Sequence, residues 1–150
     1  MSSHRAIFTV TAGPNDGDTV SIDLGSCRLI GRHLSETETA FIDRDGNRVL
    51  DSAAADILSK HLKDRAPAAT VGNVAAFNAS AFDRGPDIIF ADDSISRAHA
   101  MLFYDSGGVG IIDLASTNGT FINAERVGSA LIADGDVIAL GNSELAVKIR

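Results

Sequence analysis

Short apolar runs separated by turn residues recur along most of this chain. Residues 6–11 and 19–24 alternate apolar and polar positions, and the turn-forming residues 13–18 lie between them. Since a period of two places every second side chain on one face of a strand, these runs predict a β-hairpin. Similar runs follow at residues 27–30, 87–90, 98–104, 109–114, 120–122, 136–140 and 145–149. Short strands at this spacing predict an all-β sandwich of two antiparallel sheets.

Residues 33 to about 86 break the strand pattern. Within them, residues 51–65 carry apolar side chains at positions 54, 57, 58 and 62, the spacing of one helix face. Asp51 or Ser52 can cap the N-terminus, basic residues occupy the last turn, and Pro67 follows. These features predict an amphipathic helix. The Ala-, Asn- and Ser-rich stretch at residues 68–82 predicts no element.

The composition is typical of one domain. A length of 150 residues lies in the single-domain range, so we expect one domain over residues 1–150. Hydrophobic residues make up 45% of the chain and Trp is absent, so Val, Ile, Leu, Ala and Phe must build the core. Such a list suits a sandwich of short strands.

The cysteine content and the length of the apolar runs indicate the cellular compartment of the protein. Cys27 is the only cysteine, so no disulfide can form within the chain, and we expect it to be a small core side chain. The N-terminal apolar run is too short for a signal peptide, and no run approaches the roughly 18 apolar residues of a membrane span. We therefore expect a cytoplasmic protein with no membrane partner.

The formal net charge of −7 argues against a nucleic-acid partner, which usually requires a basic face. It does not argue against a phosphorylated peptide. At physiological salt the Debye length is about 8 Å, so distant carboxylates are screened from a bound phosphate. One well-placed arginine therefore matters more than the net charge.

A polar loop between two apolar runs is the clearest candidate for function. Residues 111–114 lead into the small polar residues 116–120, and an apolar pattern resumes at Phe121. Thr117 and Asn118 offer a hydroxyl and an amide at the tip, and Gly119 tolerates the positive φ of a tight turn. Such a tip can bind the backbone of another chain.

Four sequence blocks in order carry a family resemblance. They are Gly31-Arg32, Ser96-Arg97-Ala98-His99, the loop from Asp113 to Asn123, and Asp134-Gly135-Asp136 followed by Ile138, Leu140 and Gly141. Together they resemble the forkhead-associated (FHA) domain, a phosphothreonine-peptide binder, from about Phe8 to Ile149. The resemblance implies an FHA-like β-sandwich. One departure is the distance between the first two blocks, which predicts a partly helical insertion at about residues 33–86.

The resemblance implies roles for individual residues. Arg32 would bind phosphate through its planar guanidinium, and the Ser96 hydroxyl would donate to a phosphate oxygen. Thr117 would supply a third phosphate contact. The remaining expected ligand contacts are Arg97, which faces flanking residues, and Asn118 and Asn123, whose amides bind the peptide backbone. The loops would be supported by Gly31, His99 and Gly119.

The residues expected to contact the ligand also have structural interpretations that need no ligand. Arg32 could be a surface arginine paired with Glu36 or Glu38, and Arg97 could be solvated. Ser96, Thr117 and Asn118 could simply form turns. The ordered set favours the functional interpretation.

No catalytic site is predicted. Ser96 and His99 invite a hydrolase interpretation, but a G-x-S-x-G elbow is missing and the histidine of the family is architectural. The spacing of acidic residues and histidines matches neither a calcium loop nor a zinc site. We expect no enzyme activity, no metal and no cofactor.

The expected partner is a protein phosphorylated on threonine by an upstream Ser/Thr kinase. The first rival is a phosphate-independent scaffold or self-association module on the same fold, with its pocket covered by the insertion. A hydrolase using Ser96 and His99 is the second and weaker rival.

Residues 33–56 of the insertion carry an acidic surplus beside the expected phosphate site, with acidic residues at 36, 38, 43, 45, 51 and 56 against two arginines. It could regulate access by placing a carboxylate against Arg32. Phosphorylation of Thr37 or Thr39 could alternatively allow self-binding in cis or in trans. The competing hypothesis is an inert decoration whose Ile57, Leu58 and Leu62 pack on the sandwich.

Overall fold

Twelve strands and one helix make up the part of the chain that the computed structural model describes, which is residues 4–35, 38, 41–62 and 82–150. The helix α1 spans Ser52–Leu62. The strands are β1 (Arg5–Ala12), β2 (Thr19–Asp23), β3 (Ser26–Arg32), β4 (Asp83–Arg84), β5 (Ile88–Phe90), β6 (Ala100–Asp105), β7 (Gly108–Asp113), β8 (Thr120–Ile122), β9 (Glu125–Val127), β10 (Ser129–Ile132), β11 (Val137–Leu140) and β12 (Ser143–Ile149).

The strands form two sheets. The first sheet has the order β2-β1-β12-β11-β8-β9, and the predicted hairpin is its β1–β2 pair. The second sheet has the order β10-β7-β6-β3-β4, with β5 also paired to β3. The predicted all-β sandwich is confirmed.

The second sheet departs from the predicted antiparallel arrangement, because β3 pairs in parallel with both β4 and β5. Parallel neighbours need a long crossover connection, usually one that contains a helix. Residues 33–87, hereafter the β3–β5 segment, provide that connection and contain α1. Their length thus has a structural reason, while their status as an insertion relative to the family stays a prediction.

The main core lies between the sheets. Phe8, Val10 and Val147 of the first sheet are buried in one cluster with Leu102 and Ile111 of the second. Alternate side chains of β1, β6 and β12 enter this layer, as the period-two pattern predicts. The apolar runs therefore pin the register of both sheets.

A second core covers the outer face of the second sheet. Met101 and Phe103 of β6 are buried there with Cys27, and Ala54 and Leu58 of α1 pack in the same cluster. All six residues of β6 are buried, which agrees with the apolar run of its first five residues. Burial raises the pKa of the Cys27 thiol to about 11, as expected of a core cysteine.

The helix begins where the sequence indicates. The Asp51 side chain accepts from the Ala54 backbone N–H at 2.8 Å, so Asp51 is the N-cap. Ile57 and Leu58 pack against the sheet, as the decoration hypothesis predicts, while the Leu62 side chain lies outside the described residues. Three short strands were not predicted, namely β4, β9 and β10, which have two to four residues each. None of the described helices is long and apolar enough to cross a membrane.

We propose that α1 and the sandwich unfold as one unit, because Leu58 is fully buried against the second sheet. Leu58→Ala should lower the free energy of unfolding by about 2 to 5 kcal/mol through lost burial and a cavity. Chemical denaturation followed by circular dichroism measures this loss. Lys60→Ala, an exposed change on the same helix, is the control. A change below about 0.5 kcal/mol for Leu58→Ala would contradict the shared core.

Candidate functional site

Three chain segments meet at one end of the sandwich. They are the end of β3, the loop between β5 and β6, and the loop between β7 and β8. The Arg32 backbone N–H donates to the Ser96 carbonyl at 3.1 Å, and the Thr117 N–H donates to the Ser96 hydroxyl oxygen at 3.0 Å. Ser96 is therefore the point at which the three segments are joined.

Arg32 presents a fixed guanidinium at this junction. It is the last residue of β3, whereas the sequence placed it just beyond the strand. Its Nε donates to the Ile95 carbonyl at 3.0 Å, which orients the outer edge of the group. That edge forms two bonds to the Glu38 carboxylate, at 2.7 and 2.8 Å. The bond to Glu38 raises the pKa of Arg32 above its ordinary value.

This pairing is one of the two that the sequence offered for Arg32. Glu38 is described and lies on the guanidinium, whereas Glu36 lies outside the described residues, as do Thr37 and Thr39. The hypothesis of phosphorylation at either threonine therefore stays a prediction. A carboxylate from the β3–β5 segment does lie against Arg32.

A groove of about 590 Å³ runs from Arg32 toward α1. Its lining includes Ser96 and Thr117 of the loops and Val49 and Ile57 of the β3–β5 segment. The wall thus combines polar groups that can bind an anion with apolar side chains from the segment. The groove is large enough for part of a peptide.

The buried side chain of His99 links the β5–β6 loop to the β7–β8 loop. Its side chain is fully buried, Nδ1 accepts from the Ser96 N–H at 3.1 Å, and Nε2 lies 2.9 Å from the Gly119 carbonyl. Since a carbonyl can only accept, Nε2 carries the proton and the imidazole is neutral. Burial lowers the pKa of His99 below its ordinary value, although the Gly119 carbonyl opposes this change.

Gly31 and Gly119 are required by geometry. A side chain at Gly31 would overlap the Arg97 carbonyl oxygen, so the close approach of β3 to the loop needs glycine. Gly119 has a φ of 87°, in the left-handed region that glycine tolerates. Both positions were predicted to support the loops, and that role stays a prediction.

The two asparagines occupy different places. The Asn118 amide donates to the Ser94 carbonyl at 2.7 Å, so it links the two site loops. Asn123 follows β8, at the end opposite the Thr117 loop. Its amide donates to Asp136 and accepts from the Val137 N–H, both at 3.0 Å. The structure therefore does not bring Asn123 together with Arg32 and Ser96.

Arg97 and Arg48 add two positive charges. Arg97 is exposed, and its Nε lies 3.8 Å from Glu38. Arg48 belongs to the β3–β5 segment, lines the groove and donates to the Arg97 carbonyl at 2.7 Å. Burial lowers the pKa of Arg48, and the charges of Arg32 and Arg97 act in the same direction. Nothing in the local sequence of Arg48 indicated this position.

Two aspartates that the sequence analysis did not assign set the shape of the loops. Asp113 accepts from the Ser116 N–H at 3.0 Å and from the Thr120 hydroxyl at 2.7 Å. Asp92 is buried and accepts from the Ser94 and Asn142 N–H groups. Burial alone would raise the pKa of Asp92, but hydrogen bonds from the Ser94 and Ser143 hydroxyls, together with these two N–H groups, outweigh it and lower the pKa. The signal was present, because Asp two or three residues before Ser is typical of side-chain-capped turns.

Loops at one end of the β-sandwich thus present cationic and hydroxyl groups together. Residues 80–141 match the model of the FHA domain family. The resemblance to the FHA domain that the sequence blocks indicated is thereby confirmed.

Curated relatives are similar over less than half of this chain. Glycogen accumulation regulator GarA of Mycolicibacterium smegmatis is 42% identical over 64 residues, which are 41% of this chain and 40% of GarA. The ABC transporter ATP-binding/permease protein Rv1747 of Mycobacterium tuberculosis is 48% identical over 59 residues, 39% of this chain and 7% of that protein. The chain thus spans less than half the length of these relatives.

Solved FHA domains share the fold over nearly the whole chain. The FhaA FHA domain in complex with the intracellular domain of Rv3910 aligns with a TM-score of 0.52 and 22% identity, covering 95% of this chain and 99% of that one. An FHA domain of an Arabidopsis thaliana protein aligns with a TM-score of 0.59 and 22% identity, covering 99% and 91%. These alignments support the sandwich, including the strands before residue 80.

The neutral state of His99 predicts a pH-dependent stability. A base whose folded pKa is lowered stabilises the fold above its unfolded pKa, near 6.5, and loses that contribution as the pH falls toward the folded value. An NMR titration of the imidazole should give a folded pKa below 6.5. The free energy of unfolding should fall over the same range, and less so in His99→Gln. A folded pKa at or above the ordinary value would contradict the buried neutral imidazole.

Proposed function

We propose that this chain is a phosphothreonine-peptide recognition module that mediates phosphorylation-dependent protein–protein interaction in Ser/Thr kinase signalling. One observation carries the proposal. The outer edge of Arg32 binds both oxygens of an anionic group, the Glu38 carboxylate, at the junction of the site loops. A phosphate group offers oxygens in a geometry that suits the same two donors.

The other site residues complete a phosphate contact. The Ser96 hydroxyl accepts from Thr117, so its own proton can be donated to a phosphate oxygen. Thr117 lines the same groove and supplies a further hydroxyl. Arg97 lies at the rim, where it would contact residues beside the phosphothreonine. Asn118 is oriented by its bond to Ser94, and its amide oxygen would accept a backbone N–H of the peptide.

The similar proteins support a signalling partner. One solved neighbour, 21% identical with a TM-score of 0.54, comes from an analysis of phosphothreonine-dependent FHA domain interactions. FhaA binds the intracellular domain of Rv3910 through its FHA domain. By analogy, the partner of this chain would be a protein phosphorylated on threonine by an upstream Ser/Thr kinase. The site of action would then be the cytoplasm.

Two contacts favour binding over catalysis. Both ring nitrogens of His99 are engaged by backbone groups, the N–H of Ser96 and the carbonyl of Gly119. A general base for a serine nucleophile would instead need a hydrogen bond to the hydroxyl. The Ser96 hydroxyl oxygen meets the Thr117 N–H. We therefore propose no enzymatic activity.

A phosphate-independent scaffold on the same fold is the second candidate, and two observations favour it. Arg32 is already paired with Glu38, so the donors can be satisfied without a ligand. In addition, Phe41, Ile42 and Val49 of the β3–β5 segment are exposed apolar side chains. Such a surface suits self-association or a non-phosphorylated partner.

Arg32→Ala and Ser96→Ala should each weaken phosphopeptide binding by about tenfold or more, since a hydrogen bond to a charged group contributes roughly 1.5 to 3 kcal/mol. A peptide library with fixed phosphothreonine and degenerate flanking positions provides the ligand. Titration calorimetry then measures the selected peptide. Arg5→Ala is the matched control, because Arg5 is an exposed arginine paired with Asp23 on β2.

The outcomes separate the two candidates. Equal affinity of wild type for the peptide and its unphosphorylated form would favour the scaffold. Unchanged affinity of the Arg32 variant would overturn the proposed binding mode.

A further inference from the structure

Glu38 uses the donors of Arg32 that the proposed phosphate contact requires. Its Oε1 and Oε2 accept from Nη1 and Nη2 of Arg32 at 2.7 and 2.8 Å. Two parallel bonds from one guanidinium are also the arrangement in which arginine binds phosphate. A ligand phosphate and the Glu38 carboxylate therefore compete for one pair of donors.

Two further contacts hold the carboxylate between the proposed ligand-binding arginines. The Ser35 backbone N–H donates to Oε1 at 3.0 Å, and Nε of Arg97 lies 3.8 Å from Oε2. The Glu38 side chain is 24% exposed, so solvent and ligand can reach the pair. Residues of the site therefore hold the Arg32–Glu38 ion pair in place, and a competing anion can still reach it.

The carboxylate stays charged under the conditions in which a ligand would bind. Its hydrogen bond to Arg32, with help from the Ser35 N–H, holds the pKa of Glu38 far below its usual range. A phosphate ester loses its second proton near about pH 6. Glu38 is therefore an ionised competitor wherever the phosphate is a dianion.

Charge and oxygen count decide which anion prevails. A carboxylate brings one negative charge, whereas phosphothreonine brings about −1.5 to −2 at neutral pH and three acceptor oxygens. The additional oxygen can reach the Ser96 hydroxyl beside Arg32. An Asp or Glu of a partner brings nothing that Glu38 lacks, and Glu38 also has the advantage of being attached to the chain.

We propose that Glu38 is a specificity-determining residue, an internal competitor that excludes carboxylates of a partner from Arg32 and yields to phosphate. This inference rests on the proposed function. It also assigns the β3–β5 segment two separate roles. The helix α1 contributes to the second core. Glu38 sets the affinity for Arg32 that a ligand anion must exceed.

The test compares the full chain with Glu38→Ala, Asp45→Ala and Arg32→Ala. Asp45 is a matched control, because it is an exposed carboxylate in the same segment and none of its described contacts is to Arg32. The ligands are the phosphothreonine peptide selected from the library and the same peptide with Glu in place of phosphothreonine. Inorganic phosphate, followed by NMR shifts of the Arg32 side chain, is a third probe that does not depend on peptide sequence.

Glu38→Ala should bind the phosphopeptide about fivefold more tightly than wild type, since a solvent-accessible ion pair contributes up to roughly 1 kcal/mol and a ligand would no longer have to break it. Asp45→Ala should stay within about twofold, because screening weakens distant charges. Only the Glu38 variant should gain detectable affinity for the Glu-containing peptide. Inorganic phosphate should likewise bind more tightly to Glu38→Ala than to wild type or Asp45→Ala.

Each contrary result has a distinct meaning. If Glu38→Ala binds as wild type does, or more weakly, while Arg32→Ala loses binding, Glu38 merely supports Arg32 and the inference is overturned with the proposed function intact. If Arg32→Ala binds as wild type does, the proposed function fails and the inference with it. If neither phosphopeptide nor phosphate binds any variant, both are overturned.

Discussion

The hydrogen bonds of the buried His99 are the constraint on which the site depends. The imidazole accepts from the Ser96 N–H and donates to the Gly119 carbonyl, so one side chain fixes the spacing of two loops. Because His99 is fully buried, losing either partner would leave a polar group unsatisfied in the interior, at a cost of about 1 to 3 kcal/mol. The position of Ser96 relative to Thr117 follows from this arrangement.

The β3–β5 segment links the stability of the fold to the chemistry of the site. Its helix buries Leu58 against Met101 and Phe103, on the face of the second sheet opposite the main core. The same segment brings Glu38 and Arg48 to the groove. Deleting the segment to test regulation would therefore remove a core layer as well. Single substitutions at Glu38 separate the two roles.

Much of the fold was predictable because its signals are local. Period-two alternation gave the main strands, and Asp51 marked the start of the helix. The strands β9 and β10 were missed because they are short and partly polar, and only their neighbours define them. The parallel pairing of β3 with β5 was missed because it depends on the path of a long connection.

The sequence motifs identified some residues of the candidate site but not all of them. Arg32, Ser96 and Thr117 meet as the ordered blocks indicated, while Asn123 lies beyond the far end of β8. Glu38 could be named only as one of two candidates, since sequence separation does not reveal which carboxylate contacts the guanidinium. Arg48 reaches the groove through tertiary contacts with Asp87 and Arg97, which no local pattern encodes.

The central claim is that a ligand phosphate and the Glu38 carboxylate occupy the same donors of Arg32. A crystal structure of the chain with the library-selected phosphothreonine peptide tests this most directly. The account predicts phosphate oxygens on Nη1 and Nη2 of Arg32, the Ser96 hydroxyl on a phosphate oxygen, and Glu38 beyond hydrogen-bond distance of the guanidinium. A bound phosphate elsewhere on the surface, with the Arg32–Glu38 pair intact, would contradict it.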